Sequence, residues 1–187
     1  MMTDIEHFMA IRQRAECLFT FEETEQAIAR VAAQMTHQLA ASNPLLMTVM
    51  TGAVVFVGRL VGHLDFPLEI SYLHATRYRN TTTGNSLQWK VPPQQDVKDR
   101  TVVVIDDILD EGHTLAEVER HLHELGATAV YTAVLVDKRH ERKAYPGQRC
   151  HFTGLEVPDR YVFGSGMDYR GYWRNTGGIH AVHPDDL

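Results

Sequence analysis

The segment VVVIDDILDEGHTL, residues 102–115, passes from an apolar run directly into acidic residues. Charged side chains are not tolerated inside a buried strand, so we expect Asp106 and Asp107 to lie where a strand ends and a loop begins. After Asp110, the residues Glu111-Gly112-His113-Thr114 lead into a predicted helix. Backbone N–H groups and the positive end of the helix dipole converge at such a turn. The segment therefore predicts an anion site, most plausibly for a phosphate.

The adjacent pair Asp106 and Asp107 adds a second kind of recognition beside this turn. Carboxylates only accept hydrogen bonds, which suits the vicinal hydroxyls of a sugar or, through water, a divalent cation. A phosphate site next to carboxylates that suit vicinal hydroxyls predicts a phosphorylated ribose as the ligand. For the pair alone a purely structural explanation stays open, because acidic pairs are common at strand ends and such a turn can simply cap a helix.

Composition narrows the class of protein. The 187 residues, 44% of them hydrophobic, suit a single domain spanning residues 1–187. A net charge of −6 argues against a protein that mainly coats nucleic acid. Cys17 and Cys150 are far apart, which is typical of a reduced, cytoplasmic protein. The sequence has no signal-like apolar region and no apolar run of membrane-spanning length, so we expect neither secretion nor a membrane partner.

Alternating helical and strand patterns predict an α/β fold with a mainly parallel, doubly wound sheet, and ligands at the carboxyl ends of its strands. Thr20 and Glu23 form a capping-box pattern that starts a helix over 21–41. The other predicted elements are strands at 45–50, 68–74, 101–105 and 129–136 and helices at 54–64 and 115–125. The polar segment 76–100 predicts a long loop, which we interpret as a mobile lid.

The whole pattern around Asp110 resembles the phosphoribosyl pyrophosphate signature of the type I phosphoribosyltransferases. An apolar strand, Asp-Asp, two apolar residues, Asp and a Gly-Thr turn are far more specific together than the acidic pair alone. Two further segments are similar to that family: LVDKR at 135–139, and EVPDRYVFGSGMDYRGYWRN at 156–175. The resemblance extends over about 45–175 and is to the 6-oxopurine branch of the family.

The resemblance implies a role for each matching residue. Asp110 is the implied proton acceptor, and Lys138 is implied to bind the 6-oxo group of a purine. The remaining implied sites are Asp106, Asp107, Glu111, Gly112, His113 and Thr114 for the ribose phosphate, Thr51, Gly52 and Arg174 for pyrophosphate, Tyr161 and Val162 for the purine, Arg77 and Tyr78 for the lid, and Asp168, Asp106 and Asp107 for a metal.

The resemblance also implies a fold and an activity. The sheet would carry a small hood formed by the chain-terminal segments. The activity would be purine salvage, in which 5-phosphoribosyl passes from phosphoribosyl pyrophosphate to hypoxanthine or guanine, giving IMP or GMP and pyrophosphate. Mg²⁺ would be the cofactor, neutralising the leaving group. The implied assembly is a homodimer or homotetramer, with no nucleic-acid or membrane partner.

Two positions depart from the family pattern. Thr51 stands where the family usually has Lys or Arg, which removes a positive charge from the pyrophosphate side. The family often has a cis peptide there, which would join Met50 to Thr51. Glu111 replaces a commoner Thr or Ser in the phosphate loop, and we expect its side chain to point outward while its N–H donates.

Two other functions share part of this pattern. A non-enzymatic RNA-binding regulator can be built on the same fold, but it would need a basic face, which the net charge of −6 disfavours. A phosphoacceptor signalling domain also uses acids at strand ends and a lysine on a later strand. Such a domain normally has its acidic pair on the first strand, whereas here the pair lies beyond residue 100.

Overall fold

The computed structural model describes residues 4–77 and 87–187, built around a six-stranded sheet. The helices are α1 (Asp4–Arg14), α2 (Phe21–Leu39), α3 (Val54–Leu60) and α4 (His113–Glu124), with short 3-10 helices at Val61–His63 and Pro184–Asp186. The strands are β1 (Glu16–Phe19), β2 (Leu45–Val49), β3 (Glu69–Arg77), β4 (Leu87–Val91), β5 (Thr101–Leu109), β6 (Ala129–Arg139), β7 (Phe152–Pro158), β8 (Val162–Phe163) and β9 (Ile179–Ala181).

The main sheet has the strand order β4-β3-β2-β5-β6-β7. All of its neighbouring strands are parallel except β3 and β4, which are antiparallel. One hydrophobic cluster packs α2 and α3 against one face of the sheet, and a second cluster packs α4 against the other face. This arrangement confirms the predicted mainly parallel, doubly wound α/β fold.

A second, three-stranded sheet of β1, β9 and β8 is antiparallel and draws on both ends of the chain. It confirms the predicted hood. Ile11 of α1 packs there with Phe163, Tyr169 and Val182 in a separate buried cluster. The Trp173 indole N–H donates to the carbonyl of Phe8 at 3.1 Å, which ties the hood to α1.

Helix α2 starts as its sequence predicts. The Glu23 N–H donates to the Thr20 hydroxyl at 3.2 Å, and the Thr20 N–H donates to the Glu23 carboxylate at 2.8 Å, which completes a capping box. The buried face of the helix follows the helical repeat of apolar residues that includes Ile28, Val31 and Met35. None of the helices in the described ranges is long and apolar enough to cross a membrane.

Strand β5 is longer than predicted, so the expectation that the acidic pair follows the strand was wrong. Strand β2 pairs with β5 only as far as Thr48 opposite Ile105, whereas β6 continues beside β5 to Leu109. Asp106 and Asp107 therefore lie inside a strand but beyond the end of one neighbour. At this carboxyl-terminal end of the sheet β5 has a neighbour on one side only, so the two side chains can reach an opening there.

The predicted loop at 76–100 was wrong at residues 87–91, which form the antiparallel edge strand β4. Its sequence, LQWKV, alternates apolar and polar residues, which suits an edge strand with one apolar face. Trp89 supplies that face by packing against the cluster beneath α4, where its ring lies 5.0 Å from that of His121. The segment that includes Tyr78 lies outside the described residues.

Candidate active site

A cavity of about 460 Å³ opens where the carboxyl ends of β2, β5 and β6 meet the hood. It brings together residues that are separated by more than a hundred positions in the sequence. Its lining includes Thr51, Gly52, Asp106, Asp107, Asp110, Thr114, Lys138, Tyr161, Val162, Asp168 and Arg174. A second cavity of about 300 Å³ shares Asp106, Asp107, Asp110 and Thr114 and adds Glu111, Gly112 and His113.

The turn before α4 is shaped as an anion site. Gly112 has a φ of +76°, in the left-handed region that favours glycine, and α4 begins at the next residue, His113. The first N–H groups of a helix have no partner within the helix and lie at the positive end of its dipole. We define Asp110 to Thr114 as the phosphate loop.

One segment, residues 140–148, binds four successive carbonyl groups in and before the phosphate loop. The Lys143 ammonium donates to the carbonyls of Leu109 and Asp110 at 2.8 and 2.9 Å. The Ala144 N–H donates to the carbonyl of Glu111 at 2.7 Å. The Gln148 side chain donates to the carbonyl of Gly112 at 2.9 Å. These bonds fix the backbone of the loop without using its N–H groups.

Lys143 is buried and also forms a hydrogen bond of 2.8 Å to the buried carboxylate of Asp137, with side-chain exposures of 5% and 1%. It further donates to the carbonyl of Lys138 at 2.8 Å. A buried ion pair persists only where hydrogen bonds satisfy its remaining polar atoms. Lys143 therefore clamps the ends of β5 and β6 together next to Asp110 and Lys138, which line the cavity.

The acidic pair lies at the centre of the site. The Asp107 N–H donates to the Asp106 carboxylate at 2.9 Å. Burial and the neighbouring Asp107 charge raise the pKa of Asp106 well above its usual value. Burial also raises the pKa of Asp107, although hydrogen bonding to Asp106 and the charge of Arg174 oppose the shift. Gly52 packs so closely on Asp107 that any side chain there would overlap its carboxylate.

Asp110 accepts one hydrogen bond at each carboxylate oxygen. The Lys138 ammonium lies 2.8 Å from Oδ2, and His140 Nε2 lies 2.8 Å from Oδ1. Burial alone would raise the pKa of Asp110, but the hydrogen bonds from Lys138 and His140 outweigh burial and lower it. The carboxylate is therefore ionised at neutral pH.

The hood supplies the opposite wall of the cavity. Tyr161 is 41% exposed, and Val162 beside it is buried. Arg174 forms an ion pair with Asp168 at 2.5 Å and lies 3.7 Å from a carboxylate oxygen of Asp107. Arg174 thus connects the hood to the acidic pair. The Gly171 N–H donates to the other oxygen of Asp168 at 2.6 Å, so both oxygens of that carboxylate have partners.

The remaining predicted positions have different outcomes. The peptide between Met50 and Thr51 is cis, as the resemblance implied. Arg77 ends strand β3, and Tyr78 lies outside the described residues. Glu111 is half-buried beside the second cavity, and the outward direction of its side chain stays a prediction.

Sequence reasoning missed His140, Lys143 and Gln148. The first two lie in the charged segment RHERK at 139–143, whose pattern is typical of a solvated loop. Their partners in β5 and the phosphate loop are about thirty residues away in sequence. The spacing of residues along the sequence does not indicate such contacts. The cluster of hydrogen-bond donors after the predicted strand was the one feature that suggested a role in the site.

The candidate metal site consists of carboxylates. Among residues 4–77 and 87–187, no group of three or more His, Cys, Asp or Glu residues is placed to hold a metal ion. Mg²⁺, however, usually binds through one or two carboxylates together with waters and substrate phosphates. Asp106 and Asp107 supply such oxygens, and a divalent cation would offset the burial and the charge repulsion that together raise the pKa of Asp106. The donor set therefore fits Mg²⁺.

Known proteins resemble this chain in sequence. The hypoxanthine-guanine phosphoribosyltransferase of Streptococcus pneumoniae strain R6 is 30% identical over 159 residues, covering 84% of this chain and 87% of that protein. The protein of the same name from Bacillus subtilis strain 168 is 31% identical, covering 89% and 92%. The hypoxanthine-guanine-xanthine phosphoribosyltransferase of Tritrichomonas foetus is 30% identical, covering 84% and 86%.

Solved structures and a family model give the same result. A hypoxanthine phosphoribosyltransferase from Staphylococcus aureus superposes with a TM-score of 0.87 at 25% identity, covering 94% of this chain and 96% of that one. The family model described as the phosphoribosyl transferase domain matches residues 16–169. Since that match spans most of the sequence, the chain belongs to the phosphoribosyl transferase domain family.

Proposed function

We propose that this protein is a purine salvage enzyme that transfers 5-phosphoribosyl from phosphoribosyl pyrophosphate to hypoxanthine or guanine, giving IMP or GMP and pyrophosphate. Relatives named hypoxanthine-guanine phosphoribosyltransferase match most of the chain. The observation that carries the proposal is the pair of Asp110 and Lys138, 2.8 Å apart, which lines the same cavity as the first turn of α4. A proton acceptor and a donor for an oxo group thus lie beside an anion site.

The donor substrate would bind across both cavities. Its 5-phosphate would accept from the N–H groups of Glu111 to Thr114 in the phosphate loop. The ribose hydroxyls would donate to Asp106 and Asp107. Thr51, Gly52 and Arg174 would hold the pyrophosphate, where the planar guanidinium suits phosphate oxygens.

The purine would lie between the hood and the end of β6. Its ring would stack on Tyr161, which presents a partly exposed aromatic face to the cavity. Its 6-oxo group would accept from Lys138, and its opposite edge would meet the backbone of Val162. The ammonium of Lys138 has three donors, so it can bind the purine while keeping its bond to Asp110.

The reaction would break the bond between the anomeric carbon and pyrophosphate and form a bond to a purine nitrogen, with inversion. The transition state would resemble an oxocarbenium ion, so the site must position the purine and stabilise the departing anion. Asp110, ionised at neutral pH, would accept the proton from the imidazole nitrogen opposite the one that attacks.

Mg²⁺ would be held by Asp106 and Asp107, with Asp168 nearby, and when bound it would neutralise charge on the leaving pyrophosphate. Arg174 already occupies one oxygen of Asp168, so Asp168 would act by orienting Arg174 as well as by its charge.

The segment containing Arg77 and Tyr78 would close over the substrates and exclude water. We also propose a homodimer or homotetramer in the cytoplasm, which light scattering and cell fractionation would test.

A spectrophotometric screen of single purines with phosphoribosyl pyrophosphate and Mg²⁺ tests this function. We expect turnover with hypoxanthine and guanine. No turnover with any purine would contradict the proposal. A parallel RNA filter-binding titration addresses the non-enzymatic regulator, for which we expect no binding at physiological salt.

A further inference from the structure

His140 contacts the proposed proton acceptor from a buried position. Its Nε2 lies 2.8 Å from Oδ1 of Asp110, and its side chain is 3% exposed. In the part of the chain that the structure describes, His140 is not among the residues lining the substrate cavity. It therefore reaches Asp110 from within the protein, while Lys138 holds the other oxygen.

The backbone fixes which nitrogen of His140 carries the proton. The Arg142 N–H donates to Nδ1 of His140 at 3.0 Å. A backbone amide is always a donor, so Nδ1 must be the acceptor and the proton of the neutral ring must be on Nε2. His140 is thereby arranged as a permanent hydrogen-bond donor to Asp110.

We propose that His140 is a positioning residue of the transfer reaction, which holds the Asp110 carboxylate in the orientation needed to accept the purine proton. The inference rests on the function proposed above. Of the two donors to Asp110, Lys138 must also serve the 6-oxo group of the purine, which divides its interaction. His140 keeps one oxygen of Asp110 fixed while Lys138 serves both groups, and a small misplacement of a proton acceptor lowers the rate strongly.

Other charged groups surround this contact, and each has its own partner or role. They are Lys138 on β6, Glu111 in the phosphate loop, Arg142 and Lys143 in the 140–148 segment, and Asp159 after β7. Arg142 is paired with Asp159 at 2.6 and 2.9 Å. Loss of the His140 ring would thus remove one donor from Asp110 and one acceptor from the Arg142 N–H, and would leave the charged side chains in place.

The variant His140→Ala tests the proposal. We expect kcat to fall about 10-fold while KM for phosphoribosyl pyrophosphate changes less than about 2-fold, because the loss acts on the proton acceptor and not on the donor site. His140 lowers the pKa of Asp110, so in the Ala variant the acid limb of the pH profile of kcat should move to higher pH. His140→Gln should restore most of the rate and the limb, because its amide nitrogen donates from nearly the same reach. His123→Ala, at an exposed position on α4, is the matched control.

The outcomes separate a positioning role from a structural one. A His140→Ala enzyme with a lower melting temperature but an unmoved acid limb would overturn the proposal. So would a Gln variant no better than the Ala variant. If the wild-type protein forms no nucleotide from any purine, the proposed function itself fails, whereas wild-type turnover with an unmoved limb in the Ala variant refutes only the role of His140.

Discussion

At the scale of single residues, the site is a set of carboxylates held in different states by their surroundings. Asp110 receives two strong donors, which keep it ionised, whereas Asp106 is half-buried beside the carboxylate of Asp107 and resists ionisation. Environments that push the pKa values of neighbouring acids apart are typical of sites in which each acid has its own role. The difference supports the proposal that Asp110 transfers the proton and that the acidic pair binds the ligand or the metal.

Asp110→Asn is expected to lower kcat by roughly 10²-fold or more, because an amide cannot accept the purine proton. The affinity for phosphoribosyl pyrophosphate should stay nearly unchanged, since the loop carbonyls keep their partners. Steady-state kinetics with a donor-binding titration measures both quantities. Wild-type turnover in this variant would remove Asp110 from the proposed role.

Asp106→Asn is expected to stabilise the protein at neutral pH. A carboxylate whose pKa is raised by folding contributes stability below its unfolded pKa, near 4, and loses that contribution as pH rises through the folded pKa. The amide avoids this loss, and each kcal/mol gained raises Tm by about 2–4 °C in a protein of this size. Melting curves from pH 4 to 8 without Mg²⁺, with exposed Asp65→Asn as control, measure the effect. Equal Tm changes in both variants would contradict the assignment.

At the scale of elements, the phosphate loop depends on two contacts that lie outside it. A side chain at Gly112 would overlap the amide of Gln148, and the positive φ adds strain to any L residue there. The ammonium of Lys143 fixes the carbonyl of Leu109 before the loop and that of Asp110 at its start. The loop is therefore shaped mainly by the 140–148 segment.

Gly112→Ala is expected to weaken donor binding and to lower Tm. Gly147→Ala is the matched control, because Gly147 has a similar φ of +78° but no atom within 4 Å of an added side chain. Both variants should lose about 1–2 kcal/mol from the left-handed backbone, whereas only Gly112→Ala suffers the overlap with Gln148. Calorimetric titration and thermal melting compare them. Donor affinities that are equal in the two variants would mean that Gln148 does not shape the loop.

Lys143→Met is expected to destabilise the fold by about 3–5 kcal/mol, because the buried Asp137 carboxylate loses its buried, hydrogen-bonded cation and keeps only the more exposed Arg139 and Arg149, at 3.9 and 4.0 Å. A second change, Asp137→Leu, should recover part of this lost stability by removing the buried carboxylate. Arg120→Met, which breaks only exposed ion pairs on α4, should cost much less. Urea unfolding compares the variants, and equal costs for Lys143 and Arg120 would refute the clamp.

The sequence was sufficient for elements with strong local patterns and insufficient where distant parts of the chain decide the outcome. The capping box of Thr20 and Glu23 and the apolar strands could be predicted because their signals lie within a few residues. Strand β4 was missed although LQWKV alternates apolar and polar residues, because five residues are a weak signal without the pairing with β3. His140 was missed for the same reason, since its partner Asp110 lies in another element.

At the scale of the whole molecule, the site exists only because the sheet and the hood come together. Arg174 in the hood lies between Asp168 and the acidic pair of β5, and α1 supports the hood from behind. The side chains that would meet the purine also come from both parts, Lys138 from the sheet and Tyr161 from the hood. On the proposed function, recognition of the base would therefore depend on the sheet and the hood together.

A competition assay tests the central claim most directly, with hypoxanthine, guanine, adenine and xanthine at equal concentration and the nucleotide products separated by chromatography. Lys138 is a pure donor, so it matches a 6-oxo group and opposes the 6-amino group of adenine. The carbonyl of Val162 would oppose the 2-oxo group of xanthine, and mismatches of this kind can discriminate by about 10⁴-fold. The account predicts that IMP and GMP dominate, with little xanthine nucleotide and almost no AMP. Comparable amounts of AMP and IMP, or no nucleotide at all, would contradict it.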